Sequence, residues 1–261
     1  ATANMRTSVY GNNQNASSAG AGAGAQAAAA ITSAAPSNGV SAGSATINGS
    51  IGTATVTVTA NDSAKTIAAN INAIKGSTGV TATARTDVQL VVGASAGSFT
   101  LTLRSENTTA NETVSFNLAA GNASDRLSSA VSAINEKSAK TGVTAALNTT
   151  GSAIILTNAS GSDIAVGTAA GVANADVVSV TKLQADGTTV ASAVSLAAAS
   201  TASGIRTAVS GYITLDADKS FSVSVAGGNA LLAGGSQLQK VADLDITSFK
   251  NATQALKTVD S

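Results

Sequence analysis

Cysteine, histidine and tryptophan are absent from the 261-residue sequence, and Pro36 is its single proline. Without cysteine the chain has no disulfide framework and no thiolate metal site. Without histidine it lacks the commonest metal ligand and the usual general base of catalysis. Aromatic residues make up 2% of the chain, so any hydrophobic core must consist mainly of valine, isoleucine, leucine and alanine. These absences argue against an enzyme.

Charge is also scarce. Charged residues make up 11% of the chain and the formal net charge is zero, which is not the pattern of a nucleic-acid-binding protein. No apolar run reaches the roughly 18 residues that a membrane-spanning helix needs, so no membrane partner is predicted. The nearest approach to a calcium loop, Asp216 to Asp218, lacks the remaining oxygen ligands. We therefore predict no catalytic site, no metal and no cofactor.

Two segments in the middle of the chain resemble each other. Each contains a predicted amphipathic helix followed by the string TGVTA, at residues 78–82 and 141–145. The apolar helix positions are Ile67, Ile71 and Ile74 in the first copy and Leu127, Val131 and Ile134 in the second. The candidate N-cap residues are Asp62 or Ser63 and Ser124 or Asp125. The helices align at an offset of 60 residues (71 to 131) and the strings at 63 (78 to 141), which predicts an insertion of about three residues in the second copy.

Alternating strand-like sequence flanks both predicted helices. It precedes them at residues 55–59 and 99–103, and it follows them at 88–92 and 154–157. Each unit is therefore predicted as ββαββ, with a helix over a small antiparallel sheet, and the fold as α+β. A third, degenerate unit is predicted to include a short helix within residues 198–209. The alternative is one continuous β-rich domain whose similar segments share only turn chemistry.

The two ends of the chain differ from its middle. Residues 1–43 are rich in glycine, alanine and serine, which favours a flexible connector with a short strand near residues 7–10. The last residues carry apolar side chains at three- and four-residue steps, which predicts a helix. Because the sequence stops without a C-cap glycine, we expect this helix to belong to a longer protein. The predicted divisions are a connector at 1–43, modules at 44–96, 97–172 and 173–235, and the start of a core helix at 236–261.

Two motifs resemble bacterial flagellin. The tail resembles the point where the variable outer region of flagellin meets its conserved C-terminal helix. The matching tail positions are Leu244-Asp245-Ile246-Thr247, Ala252, Ala255-Leu256 and Val259-Asp260. Residues 61–72 with GVTA at 79–82 are similar to the inserted repeat of flagellins and filament-cap proteins. The resemblance implies the surface-exposed outer region of an extracellular structural subunit of the flagellar filament, which supports motility and carries antigenic surface. The alternative is a β-rich adhesin or filament-cap domain that binds glycans or host surfaces.

The resemblance also implies partners and particular residues. Other flagellin subunits would be partners in the intact filament, whereas the fragment itself is predicted to be a monomer. Host receptors and antibodies are further candidate partners. The residues expected to pack in the filament core are Ile246, Phe249, Ala252, Leu256 and Val259. The candidate acceptors of O-linked sugars are the loop hydroxyls of Ser95, Thr108, Thr109 and Thr150.

Overall fold

A computed structural model describes residues 8–12, 25, 29–30, 37–108, 110–121, 125–198, 204–231 and 233–240. Most of the regular structure in these ranges is β-strand, and the helices are short. Along the described chain the elements are β1 (Ser8–Asn12), β2 (Ala29–Ala30), β3 (Gly43–Asn48), β4 (Thr53–Val58), α1 (Ala64–Ala73), α2 (Lys75–Thr78), β5 (Thr81–Val92), β6 (Gly97–Arg104), β7 (Glu112–Leu118), α3 (Ser128–Asn135), α4 (Ser138–Thr141), β8 (Thr144–Leu147), β9 (Ile154–Asn158), β10 (Ile164–Thr168), β11 (Val178–Leu183), β12 (Thr189–Leu196), β13 (Ile205–Val209), β14 (Tyr212–Ala217), β15 (Ser222–Gly227), β16 (Gly234–Gly235) and β17 (Gln237–Lys240).

The strands of the described ranges pair antiparallel in three sheets. The largest sheet has the order β12-β11-β5-β14-β1-β17, and β9 joins it by pairing with β5 while β8 pairs with β9. A second sheet has the order β2-β13-β10-β6-β7, and a third has the order β16-β15-β3-β4. Strands from distant parts of the sequence therefore share every sheet.

Two hydrophobic cores lie under these sheets. The first packs α1 mainly against β5, with further contacts to β4 and β14, and it includes Ile47 and Ile71. The second packs α3 against β7 and β8, and it includes Phe99. The long strand β5 belongs to both, because it contributes Ala82 to the first core and Leu90 to the second. Each fully buried aliphatic side chain stabilises the fold by about 1.5–3 kcal/mol.

Local sequence sets where the helices begin and end. Ser63 caps α1, because its hydroxyl accepts a hydrogen bond from the Thr66 N–H at 3.2 Å. Gly79 and Gly142 end α2 and α4 in the left-handed conformation, with φ of 77° and 69°. Glycine adopts this conformation without the clash that a Cβ would introduce. The glycine of each TGVTA string is therefore a helix stop.

The β-rich, antiparallel part of the predicted fold is confirmed. Two details differ from the prediction. In the first copy the segments expected as two strands after the helix form the single twelve-residue β5. The helix expected within 198–209 is wrong for Ile205–Val209, which forms β13 because β10 and β2 offer ladder partners on its two sides.

The predicted end segments are only partly described. The short strand expected near residues 7–10 is confirmed as β1. Residues 37–43 of the predicted connector pack on the fold, since Asn38 and Val40 are buried and Gly43 begins β3. The segment expected to begin the core helix at 236 instead forms β17 over Gln237–Lys240. The remainder of that segment, with its apolar stripe, lies outside the described residues.

Candidate functional site: repeated junctions and paired chain ends

The same hydrogen bonds join helix to strand in both copies. In the first copy the Asn72 side chain donates to the Ala82 carbonyl and accepts from the Ala82 N–H, both at 2.8 Å. In the second copy Asn135 makes the same pair of bonds to Ala145, at 2.9 and 2.8 Å. One asparagine thus satisfies both backbone groups of a strand residue, which would otherwise remain unpaired at the start of the strand.

A buried threonine completes each junction. The Thr78 hydroxyl donates to the Ile74 carbonyl at 3.2 Å and accepts from the Val80 N–H at 3.2 Å. Thr141 repeats this arrangement at the same spacing, donating at 3.0 Å and accepting at 3.2 Å. Both threonines are fully buried. We call these two arrangements, residues 72–82 and 135–145, the junctions.

The junctions correct the predicted alignment of the helices. Asn72 corresponds to Asn135 and Thr78 to Thr141, so helix and strand share one offset of 63 residues. Ile71 therefore corresponds to Ile134, and both are buried. Val131, the residue matched to Ile71 by the 60-residue offset, is only partly buried. The predicted insertion is wrong, because apolar residues three and four apart lie on the same helix face and allow two registers.

The two ends of the described chain lie side by side. Strand β17 pairs with β1 from Ser8 opposite Lys240 to Gly11 opposite Gln237, and β1 in turn pairs with β14. Because the pairing is antiparallel, the chain enters β1 and leaves β17 at the same end of the ladder. The main body of the fold lies between these two neighbouring connections in sequence.

A buried polar contact ties the first copy to the segment after the second. The Asn38 amide donates to the Asp163 carboxylate at 2.8 Å and to the Asn61 and Asp62 carbonyls. Burial raises the pKa of Asp163 to about 6, against the opposing effect of the hydrogen bond from Asn38.

A second buried polar contact holds a lysine. The fully buried Lys182 donates to Ser210 and to the Gly211 carbonyl, both at 3.1 Å. Burial lowers the pKa of Lys182 to about 7, against the attraction of Asp163.

Sequence reasoning did not find this contact. Lys182 lies in a strand-like run between Thr181 and Leu183, and nothing in that run distinguishes a buried lysine from an exposed one. The hydroxyl of Ser210 and the carbonyl of Gly211 accept hydrogen bonds from the buried ammonium group, which gives it partners within the fold. The contact is structural.

Three of the predicted sugar acceptors are exposed. Ser95, Thr108 and Thr150 lie in loops with accessible side chains, while Thr109 lies outside the described residues. The Thr150 hydroxyl is 2.7 Å from that of Ser152. The predicted filament-core residues Ile246, Phe249, Ala252, Leu256 and Val259 also lie outside the described residues.

Several charged residues of the described ranges form ion pairs with one another. An open cleft of about 390 Å³ near the start of α1 is lined by Lys65 and Glu106, whose charged groups are 3.3 Å apart. Across the same ranges no group of three or more acidic residues has the spacing of a metal site. None of the helices seen there is both long and apolar enough to cross a membrane.

The repeated junctions coincide with a known sequence motif. The flagellin hook IN motif matches this chain twice, at residues 46–96 and 98–160. Each match contains one helix pair and one junction preceded by a hairpin, and the second also contains the β8–β9 hairpin. The chain thus carries two copies of a motif of the flagellins.

A curated relative shares the same resemblance. The B-type flagellin of Pseudomonas aeruginosa is 34% identical over 132 residues, which cover 49% of this chain and 27% of that protein. The chain therefore spans about a quarter of the length of the curated relative it matches. Both comparisons confirm the resemblance to bacterial flagellin that the sequence motifs predicted. They do not favour the alternative of an adhesin or filament-cap domain.

Proposed function

We propose that this chain is the surface-exposed outer region of a bacterial flagellin, a structural subunit of the extracellular flagellar filament that supports motility. The pairing of β1 with β17 is the observation that carries the proposal. A region that projects from a polymer on two connections needs its two ends close together. Domains with neighbouring ends are also those that tolerate insertion into another protein.

The composition fits this role. The net charge is zero and charged residues are few, so crowded neighbouring copies do not repel one another strongly. Exposed threonine and serine side chains keep the surface hydrated without adding charge. Polymerisation itself falls to other parts of the protein, including the segment with the stripe Ile246, Phe249, Ala252, Leu256 and Val259, which pairs with helices of neighbouring subunits in the filament core.

The finer organisation belongs to the same proposal. We assign residues 44–96 and 97–172 to two copies of one ββαββ unit and residues 173–235 to a degenerate third. The connector predicted at 1–43 then excludes β1 and residues 37–43, and the core helix predicted at 236–261 is proposed only after β17. The two junctions support the first two assignments. In the first copy the last two strands of the unit are continuous as β5. Because each unit is mostly strand and has only short helices, a chain built from such α+β units is β-rich.

The outer surface of such a subunit is accessible to modifying enzymes and to molecules outside the cell. The exposed hydroxyls of Ser95, Thr108 and Thr150, with that of Thr109, are the proposed acceptors of O-linked sugars. Antibodies and host receptors are the proposed partners on the same surface. No catalytic role is assigned to any residue.

A chimeric flagellin tests the proposed function. Residues 8–240 replace the outer region of a polymerising flagellin, and filaments are imaged by electron cryo-microscopy. We expect filaments of normal helical symmetry with this domain projecting from their surface on two adjacent connections. Secreted, folded chimera that forms no filament would contradict the proposal.

A cysteine pair tests the end geometry separately. Ser8→Cys with Lys240→Cys places two thiols on directly opposed residues, within the Cα separation of about 4.4–6.8 Å that a disulfide allows. We expect this bond to form readily on mild oxidation. Ser8→Cys with Gln237→Cys is the matched control, since Gln237 lies opposite Gly11 and three residues away. Equal oxidation of both pairs would refute the described register.

A further inference from the structure

The outer edge of β4 has no strand beside it. This strand ends the four-stranded sheet, and among the residues that the structure describes only β3 pairs with it. Thr53, Thr55 and Thr57 are exposed, while Val56 and Val58 are buried against the first core. The strand is therefore anchored on one face and open along its edge.

The register of the hairpin shows which backbone groups face that edge. The Gly49 N–H donates to the Gly52 carbonyl at 2.9 Å, so hydrogen-bonded and non-hydrogen-bonded pairs alternate from this point. Thr55 lies opposite Thr46 in a non-hydrogen-bonded pair, and the 2.9 Å contact between their hydroxyls fits the close side chains of such pairs. Thr53, Thr55 and Thr57 thus each direct one N–H and one C=O toward the open edge.

The corresponding edge strand of the second copy is protected. Glu112 begins β7 and forms ion pairs with Lys140 and Lys137, at 3.3 and 3.7 Å. Near the other end of β7, the Asn117 carbonyl accepts a hydrogen bond from the Ser129 hydroxyl at 2.9 Å. Charges and capping contacts of this kind prevent an edge from pairing with another chain.

Within β4 the described residues show none of these protections; the nearest capping contact is that of Asp62 with the Thr59 N–H, just after the strand ends. Its sequence TATVTV contains no charge and no proline, and its pairing with β3 shows no bulge. Short strands with high β-propensity and no charge are the ones that pair with other chains when exposed. The first copy therefore retains an edge suited to strand addition, and the second does not.

We propose that the β4 edge pairs antiparallel with the β4 edge of a second copy of this chain. Thr55 lies opposite Thr55 across a two-fold axis, and Thr53 lies opposite Thr57. In this register the outward N–H and C=O groups of one edge meet those of the other. The threonine face and the valine face of the sheet both continue across the axis, and a slip of one residue would mismatch them.

The self-complementarity of this edge explains why we propose a second copy of the same chain as its partner. A two-fold contact uses the same patch twice, and TATVTV offers the same pattern in both directions. The neutral chain imposes no repulsion between two copies. Two short edges bury far less than the roughly 1,200 Å² of a stable complex, so the contact is weak and forms at high concentration. It closes on itself and builds no filament, and it does not rest on the proposed function.

Amide hydrogen exchange on the whole chain tests the pairing. We compare samples at about 10 µM and about 1 mM and expect the Thr55 amide to exchange roughly tenfold more slowly in the concentrated sample. The Ser115 amide of β7 is the matched control, with an exchange rate that does not change. Fast exchange of Thr55 at both concentrations would overturn the proposal. So would equal protection at both, because another segment of the same chain would then cover the edge.

Charge substitutions sharpen the test. Thr55→Lys places two introduced lysines directly opposite each other, and Thr55→Glu does the same with two glutamates, so each variant alone should lose the concentration dependence. An equimolar mixture of the two should regain it at the Thr53 and Thr57 amides. Ser115→Lys in β7 should leave it unchanged. Failure of the mixture to restore protection, with both variants folded, would exclude the Thr55–Thr55 register.

Discussion

The two copies of the flagellin hook IN motif share a junction but diverge directly after it. In the first copy the chain runs straight on as β5, from the first core into the second. In the second it turns back after four residues, and β8 pairs with β9. The residues at the turn explain the difference. Asn148 accepts from the Ser152 and Ala153 N–H groups, and Gly151 has φ of 69°.

The first copy lacks this turn chemistry. At the 63-residue offset, Arg85 stands in place of Asn148 and Val88 in place of Gly151. A β-branched residue disfavours positive φ and favours a strand, so the chain continues. One repeat can thus end a sheet and the other can bridge two cores, although their helices and junctions are alike.

The copies also differ where their helices begin. Ser63 caps α1, whereas the equivalent position holds Arg126 and α3 has no side-chain cap. The Arg126 guanidinium instead donates to the carbonyls of Gly93, Ser95 and Ala119. Of the two predicted caps, Asp125 is wrong, because its carbonyl rather than its side chain accepts a bond, from Ser128, and Ser124 lies outside the described residues. In the second copy this side chain therefore holds the neighbouring loops together and does not cap the start of the helix.

Truncating the central isoleucines should have the largest effect. We expect Ile71→Ala and Ile134→Ala each to lower the free energy of unfolding by about 2–5 kcal/mol, since both lose burial and leave a cavity. Val131→Ala should cost clearly less, because Val131 is only partly buried. Urea denaturation gives all three values. A loss at Val131 equal to that at Ile134 would restore the 60-residue alignment.

The burial of Lys182 should make the stability of the fold depend on pH. The folded state holds the pKa of Lys182 at about 7, below its ordinary value, so the unfolded state binds more protons above pH 7. Stability contributed by this group should therefore rise from pH 7 to pH 9. Asp163, with a pKa of about 6, titrates below this window, and burial raises the pKa of Tyr212 above it. Thermal unfolding of Lys182→Met should lack the rise; an unchanged pH slope would argue against the buried lysine.

The junction asparagines should matter equally in both copies. Asn72→Ala and Asn135→Ala each leave a strand N–H and C=O unpaired, which should cost about 1–3 kcal/mol. Asn72→Asp is the control. It keeps the acceptor for the Ala82 N–H and removes only the donor to the Ala82 carbonyl, so it should cost less than Asn72→Ala. Denaturation midpoints measure the losses. A loss confined to one copy would show that the junctions are not equivalent.

The β8–β9 turn, which only the second copy has, should lose stability when its glycine is replaced. Gly151→Ala forces a Cβ into the left-handed region, at a cost of about 1–2 kcal/mol. The exposed neighbour Thr149 provides the control, and Thr149→Ala should change stability little. Thermal unfolding distinguishes them. Equal effects would mean that another feature creates the β8–β9 hairpin.

The smallest effect should be found at the helix cap. Ser63→Ala removes the acceptor for the Thr66 N–H and should cost about 1 kcal/mol, whereas Ser63→Asp should retain most of the stability. Exchange rates of the first-turn amides of α1 report the change directly. If Ser63→Asp destabilises as much as Ser63→Ala, capping is not the role of this side chain.

Local sequence by itself determined the helices and flanking strands of the two copies and the resemblance to flagellin, but not β13 or β17. The isoleucine spacing marked the buried face of α1, and alternation marked β4, because periodicity reflects which side of an element is buried. The glycine of each TGVTA string required no partner to act as a helix stop. The exposure of Ser95, Thr108 and Thr150 was likewise predictable from turn-rich sequence.

Only the tertiary structure decided how distant strands pair. Alternation is the same in an edge strand and a central one, so it did not reveal that β5 serves two cores or that β4 has an open edge. The 63-residue register depended on which helix face met the sheet, and the burial of Lys182 depended on Ser210 and Gly211, distant in sequence. The pairing of β1 with β17 joins residues more than two hundred apart in the chain. Such contacts are chosen by the packing of the whole molecule, which no local pattern encodes.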